Sequence, residues 1–127
     1  MSSPRDLKYS TTHEWVKFLD DGTALTGLSD FAQKSLSDLV FLDAPSEGDS
    51  VTKGEPYAEV ESVKAVAPIY SRLSGEIAEV NEEVADSPQK INQDPYGSWI
   101  IKVKDITDQE DLMDPETYDE FCLSEEE

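Results

Sequence analysis

Apolar and polar residues alternate over short runs along most of this chain, and each run is soon closed by a turn former. Trp15 to Phe18 and Thr23 to Leu28 flank Asp20-Asp21-Gly22, an Asp-Gly signal that predicts a hairpin between two β-prone segments. Ser29 is placed to cap a helix in which Phe31, Ala32 and Leu36 share a face, and Leu39 to Leu42 then resumes as an apolar strand. Pro45-Ser46-Glu47-Gly48-Asp49 breaks it. Further β-type runs cover Tyr57 to Val63, Val66 to Tyr70, Glu76 to Val80 and Trp99 to Val103, separated by Gly54, Ser74-Gly75, Pro88 and Pro95-Tyr96-Gly97. Ser74-Gly75 reads as a tight turn, with glycine permitting a positive φ. Near the C-terminus, Asp114-Pro115 reads as a cap and first helical residue, with Tyr118, Phe121 and Cys122 on one face of a helix that packs before Glu125 to Glu127 fray. Turn signals this close together predict a mostly β chain, a sandwich or flattened barrel with short flanking helices.

The run from Tyr57 to Val66 carries a conflict. If the strand continued unbroken, Lys64 would share the side-chain parity of Ala58 and Val60, which puts an ammonium on an apolar face. That placement is costly without a partner. A tight turn between Glu61 and Ala65 ends the alternation and lifts Lys64 to solvent at a hairpin tip. An exposed lysine in general only adds solubility.

Charge and cysteine content narrow the function classes. With 127 residues the chain is sized for one domain. Its 29 acidic residues against 10 basic ones give a net charge of −19, so nucleic acid and anionic membrane surfaces should repel it. Eleven of the acids lie from Asp105 to Glu127, where no lysine or arginine occurs. We therefore expect a single unit over 1–127, with a core at about 7–104 and an acidic helix and tail at 105–127. A lone cysteine, Cys122, closes no internal disulfide, and one histidine with one cysteine makes a zinc site unexpected. No apolar run reaches the length of a membrane span, and Met1 to Arg5 lacks a signal-peptide core.

The segment Glu61-Ser62-Val63-Lys64-Ala65-Val66, followed by Tyr70-Ser71 and Ser74-Gly75-Glu76-Ile77-Ala78-Glu79-Val80-Asn81, resembles the lipoyl-lysine segment of glycine cleavage system H proteins. Lys8-Tyr9 with His13-Glu14-Trp15-Val16 resembles that family's N-terminal signature. Gly27-Leu28-Ser29-Asp30-Phe31-Ala32-Gln33 and Leu39-Val40-Phe41-Leu42 resemble its helix and next strand, and Asp94-Pro95-Tyr96-Gly97 with Trp99-Ile100-Ile101-Lys102 its late strand. Five such segments in the right order cover nearly the whole chain.

The resemblance implies a lipoyl/biotinyl-like barrel-sandwich hybrid with lipoate amide-linked to Lys64 at a hairpin apex. Biotin carriers of related fold usually flank the modified lysine with methionines, whereas this chain has Val63 and Ala65. The implied role is a non-catalytic carrier that shuttles the aminomethyl group of glycine among a glycine decarboxylase, an aminomethyltransferase and a dihydrolipoyl dehydrogenase, after a lipoate ligase or lipoyltransferase has modified it. The chain itself shows no nucleophile and base pair, metal cluster or phosphate loop. Its compartment would be a mitochondrial matrix, after loss of a transit peptide, or a bacterial cytoplasm. Alternative readings are an H-like carrier for lipoate relay or sulfur oxidation, and an unlipoylated acidic interaction module.

The same resemblance makes Glu14 a candidate to pair with the ammonium of the docked aminomethyl arm; read without it, Glu14 is a solvated strand-edge acid. Three departures from the family pattern stand out. Ala67-Pro68 replaces a frequent Ser-Asp, Arg72 stands where proline is frequent, and the loop between Gly97 and Trp99 is one residue tighter. His13 is expected to be structural rather than catalytic, and Cys122 a small core residue.

Overall fold

The computed structural model describes residues 3–126. The alternating runs become strands β1 (Lys8–Tyr9), β2 (Glu14–Phe18), β3 (Ala24–Leu28), β4 (Leu39–Asp43), β5 (Ser50–Val51), β6 (Pro56–Ser62), β7 (Val66–Tyr70), β8 (Leu73–Val80) and β9 (Ile101–Gln109). They pair into a six-stranded sheet in the order β1-β2-β3-β9-β8-β5 and a three-stranded sheet in the order β4-β6-β7. Every pairing is antiparallel. The two sheets share one core, in which Val16 and Leu28 of the first meet Leu42, Val60 and Ile69 of the second, with Ile77, Ile101 and Val103 beside them. This is the barrel-sandwich arrangement expected from the sequence.

Local signals account for several elements. Ser29 Oγ accepts from the Ala32 N–H at 3.2 Å and starts helix α1 (Asp30–Leu36). Asp114 accepts from the Thr117 N–H at 2.8 Å and starts the C-terminal helix α4 (Pro115–Glu126). Tyr118 of α4 stacks on Tyr9 of β1, ring centroids 4.4 Å apart, in a second buried cluster with Leu7, Trp15 and Cys122. Stacked pairs of this kind add about 0.5–1.5 kcal/mol beyond the area they bury. Burial, relieved partly by its hydrogen bond to Ser29, pushes the Tyr118 hydroxyl pKa up. That hydroxyl lies 2.6 Å from Ser29 Oγ and 2.8 Å from His13 Nδ1, so the last helix is tied to both the first sheet and α1.

Four expectations change. Ser74-Gly75 is not a turn but part of β8, at a register shift between Ser74 and Glu76 against β9. Gly75 is required there by close approach: a Cβ would sit 2.6 Å from Lys104 O and 2.8 Å from a Val103 methyl. Second, the helix holds its form at Glu125, whose Oε1 lies 3.0 Å from His13 Nε2, where fraying was expected; Glu127 lies outside the described residues. Third, the late strand starts at Ile101 and runs on to Gln109, which draws the first acids of the 105–127 stretch into the sheet. Fourth, two short helices, α2 (Glu82–Asp86) and α3 (Gln89–Gln93), fill a segment for which no element was expected, each burying a single side chain, Val84 and Ile91. Among the described residues, no helix is long and apolar enough to cross a membrane.

Candidate functional site

The β6–β7 connection is the hairpin the parity conflict demanded. Strand pairing ends at Glu61 opposite Val66, and the Ser62 N–H donates to Ala65 O at 2.8 Å. Ser62 Oγ then accepts from the Lys64 N–H at 3.2 Å and the Ala65 N–H at 3.0 Å. A serine hydroxyl used in this way substitutes for backbone pairing and fixes a tight turn. The Val63 N–H is held by Asp38 O at 3.0 Å, which braces the tip against the end of α1. Lys64 is exposed at the apex, and Val63 beside it is 66% exposed. Sequence reasoning quoted Ser62 only as part of the segment around Lys64; its turn-capping hydroxyl is the added finding.

Below the tip, where Val60 pairs with Ala67, the hairpin borders a cleft of about 160 Å³. Leu28, Ala32, Leu36, Val60, Pro68 and Ile69 make its wall apolar, and Thr12, His13 and Glu14 close one end. A hollow of about 340 Å³ elsewhere, beside Asp49 and Glu55, is larger, but it lies at the far end of β6 from Lys64. The apolar cleft is the one that could shelter a thioether-like or alkyl chain carried on Lys64.

Glu14 is not a solvated edge acid. It begins β2, which is paired on both sides, and is only 1% exposed. A positive φ of 70° at His13 separates its ring, which faces Phe31 and α4, from the Glu14 carboxylate, which enters the space between the sheets. Ser10 Oγ donates to Glu14 Oε1 at 2.5 Å, Thr12 Oγ1 donates to the same oxygen, and Arg72 Nε does so at 3.1 Å. Glu14 Oε2 accepts from the Tyr70 N–H at 3.3 Å. The structure thus brings Glu14 to the end of the cleft beneath the Lys64 hairpin. It also gives Glu14 a cation, Arg72, that sequence reasoning noted only as standing where proline is frequent. A charge in the short connection between two apolar strands was the available signal.

Comparison with known proteins converges on one family. Residues 7–125 match the family described as Glycine cleavage H-protein. The glycine cleavage system H protein of Lachnoclostridium phytofermentans is 50% identical over 120 residues, 94% of each chain. A probable glycine cleavage system H protein of Pyrococcus abyssi is 52% identical over 121 residues, covering 93% of this chain and 90% of its own. The crystal structure of a glycine cleavage system H protein from Mycobacterium marinum superposes with a TM-score of 0.87 at 34% identity, covering 98% of this chain and 99% of that one. With the exposed lysine at the apex of a capped hairpin and the matching architecture, these similarities establish that the chain belongs to the glycine cleavage H-protein family.

Proposed function

We propose that this protein is the lipoyl carrier of a glycine cleavage system, with lipoate amide-linked to Lys64 Nζ. The observation that carries the assignment is Lys64 itself, exposed at the apex of a turn held by Ser62, on a hairpin whose strands border an apolar cleft. Lipoate would supply a strained cyclic disulfide that is readily reduced and can take up a one-carbon fragment. The chain's own groups present and shelter that arm. Ser62 and Asp38 fix the direction in which Lys64 leaves the turn, and small Ala65 leaves its amine open to a lipoate ligase or lipoyltransferase. The apolar wall of Leu28, Leu36, Val60 and Pro68 excludes water from a docked arm. Glu14 Oε2 would accept from the ammonium of the aminomethyl cargo at the closed end, which slows its hydrolysis.

No bond-making group of the chain takes part in this scheme. The decarboxylase, aminomethyltransferase and dihydrolipoyl dehydrogenase perform the chemistry, and the carrier is their shared substrate. Residues 7–104 and the acidic stretch 105–127 act as one carrier unit, since β9 runs across that boundary. Relatives from bacteria and archaea support a cytoplasmic setting over a mitochondrial one.

Incubation with a lipoate ligase, lipoate and ATP tests the assignment. The expected result is an intact mass higher by one lipoyl group, mapped to the peptide containing Lys64, and glycine-dependent carbon dioxide exchange by a partner decarboxylase. No modification would leave the acidic interaction module; modification without exchange would leave a carrier serving a different client.

A further inference from the structure

Beside the closed end of the cleft one guanidinium serves two carboxylates. Arg72, 8% exposed, donates from Nε to Glu14 Oε1 at 3.1 Å, from Nη1 to Glu110 Oε2 at 2.6 Å and from Nη2 to Thr12 Oγ1 at 2.7 Å. The ring of Tyr70 faces its Cζ at 5.3 Å. Arg72 and Glu14 alone would form a neutral buried pair, which offers little to an incoming cation. Glu110 changes the sum, because two carboxylates against one guanidinium leave one negative charge. Its backbone is fixed as well, the Glu110 N–H donating to Arg72 O at 2.9 Å.

The other charged and titratable groups nearby leave that charge in place. Lys53 is held by Asp108 at 2.9 Å. His13 turns its ring to Tyr118 and Glu125. Burial, with the Glu14 charge second, pushes the Tyr57 hydroxyl pKa up, so that group stays protonated. Within Glu14 the two oxygens are used unequally. Oε1 takes the three donors from Ser10, Thr12 and Arg72, whereas Oε2 takes only the Tyr70 N–H among the described residues. A carboxylate oxygen has room for a further donor.

We propose that Arg72 and Glu110 are positioning residues for the carried group: Arg72 holds Glu14 with Oε2 open, and Glu110 supplies the second negative charge that lets the cluster pair with an alkylammonium. The proposal rests on the reading of Glu14 as the partner of the cargo's ammonium, and it assigns to Glu110, at the end of β9, a part in retaining that cargo. Neither residue touches the reacting atoms. Both act through Glu14.

Two measurements test it. In the unlipoylated chain the Tyr70 amide reports on Glu14 Oε2 directly. Arg72→Lys keeps the charge but loses the fork that meets three acceptors; it should move the Tyr70 amide resonance and lower its hydrogen-exchange protection by about tenfold, with the Val60 amide unchanged. In the lipoylated carrier loaded with the aminomethyl group, Glu110→Gln should speed spontaneous ammonia release by about three- to tenfold. The combined effect of Glu14→Gln and Glu110→Gln should depart from the sum of the two single changes, as expected of residues in one charge network. A Tyr70 amide unmoved by Arg72→Lys overturns the proposal. So does Glu110→Gln releasing ammonia at the parental rate while Glu14→Gln releases it faster, and in that case the reading of Glu14 survives. Parental release from Glu14→Gln overturns both.

Discussion

At the Lys64 hairpin the polar contacts within the turn join residues two or three positions apart, Ser62 to Lys64 and Ser62 to Ala65, and all are exposed. In the Glu14 cluster, Arg72 reaches residues 38, 58 and 60 positions away, and two of the three charged groups are buried. Water can replace each bond of the hairpin, so that turn contributes little to global stability and can be spent on presenting a side chain. Nothing replaces the guanidinium beside Glu14, because a buried carboxylate left without its cation bears the full desolvation cost. Two regions near the same cleft therefore differ in kind: one is local and exposed, and the other is assembled from distant segments and largely buried.

The contrast can be broken most completely at Lys64. Lys64→Arg should abolish lipoylation and glycine-dependent exchange while leaving the thermal transition within a degree or so of the parent, since the side chain is exposed; intact mass and a melting curve check both halves. Arg72→Leu should show the opposite pattern. Lipoylation of Lys64 should persist, and chemical denaturation should report a loss of about 3–5 kcal/mol, with part of it recovered when Glu14→Gln is added. Equal stability losses at the two sites would erase the distinction.

Smaller effects sharpen it. Ser62→Ala removes the hydroxyl that accepts from the Lys64 and Ala65 N–H groups. It should lower stability by no more than about 1 kcal/mol yet slow lipoylation by roughly two- to fivefold, read as initial rate against a lipoate ligase. The smallest effect is expected at Asp114, the cap of α4, which among the described residues makes no bond to either region. Its hydrogen bonds to Thr117 hold its carboxyl below the ordinary 3.8. A lowered folded pKa stabilises above the unfolded value and loses that contribution as pH falls through the folded one. Melting temperatures of the parent and Asp114→Ala should thus differ slightly at neutral pH and converge as the pH drops below 3.8.

Legibility in the sequence followed the range of the interactions. The Asp20-Asp21-Gly22 hairpin, the Ser29 cap and the Asp114-Pro115 helix start were readable because each signal and the structure it directs lie within a few residues. The short helices α2 and α3 escaped notice because one buried side chain apiece gives no period to detect. Ser74-Gly75 was misread because a glycine needed for close packing against Lys104 and Val103 looks, in one dimension, the same as a glycine needed for a turn. Arg72 was seen as a departure from the family pattern and Glu14 as a candidate. Their union was invisible, since nothing local marks a pair 58 positions apart, with five strands and a helix between them.

By itself the sequence determined that Lys64 must leave the strand at a turn, because an ammonium in register with Ala58 and Val60 would have faced the core, and alternation has a period that cannot be negotiated. It likewise determined the mostly β character and the capped C-terminal helix. Only the tertiary structure decided which cation and which second carboxylate accompany Glu14, and hence the charge at the closed end of the cleft. That outcome depends on β2, the β7–β8 connection and the end of β9 meeting around a shared core. Coulomb energy there is set by distances in space and by exclusion of water, and neither quantity exists until the sheets have closed.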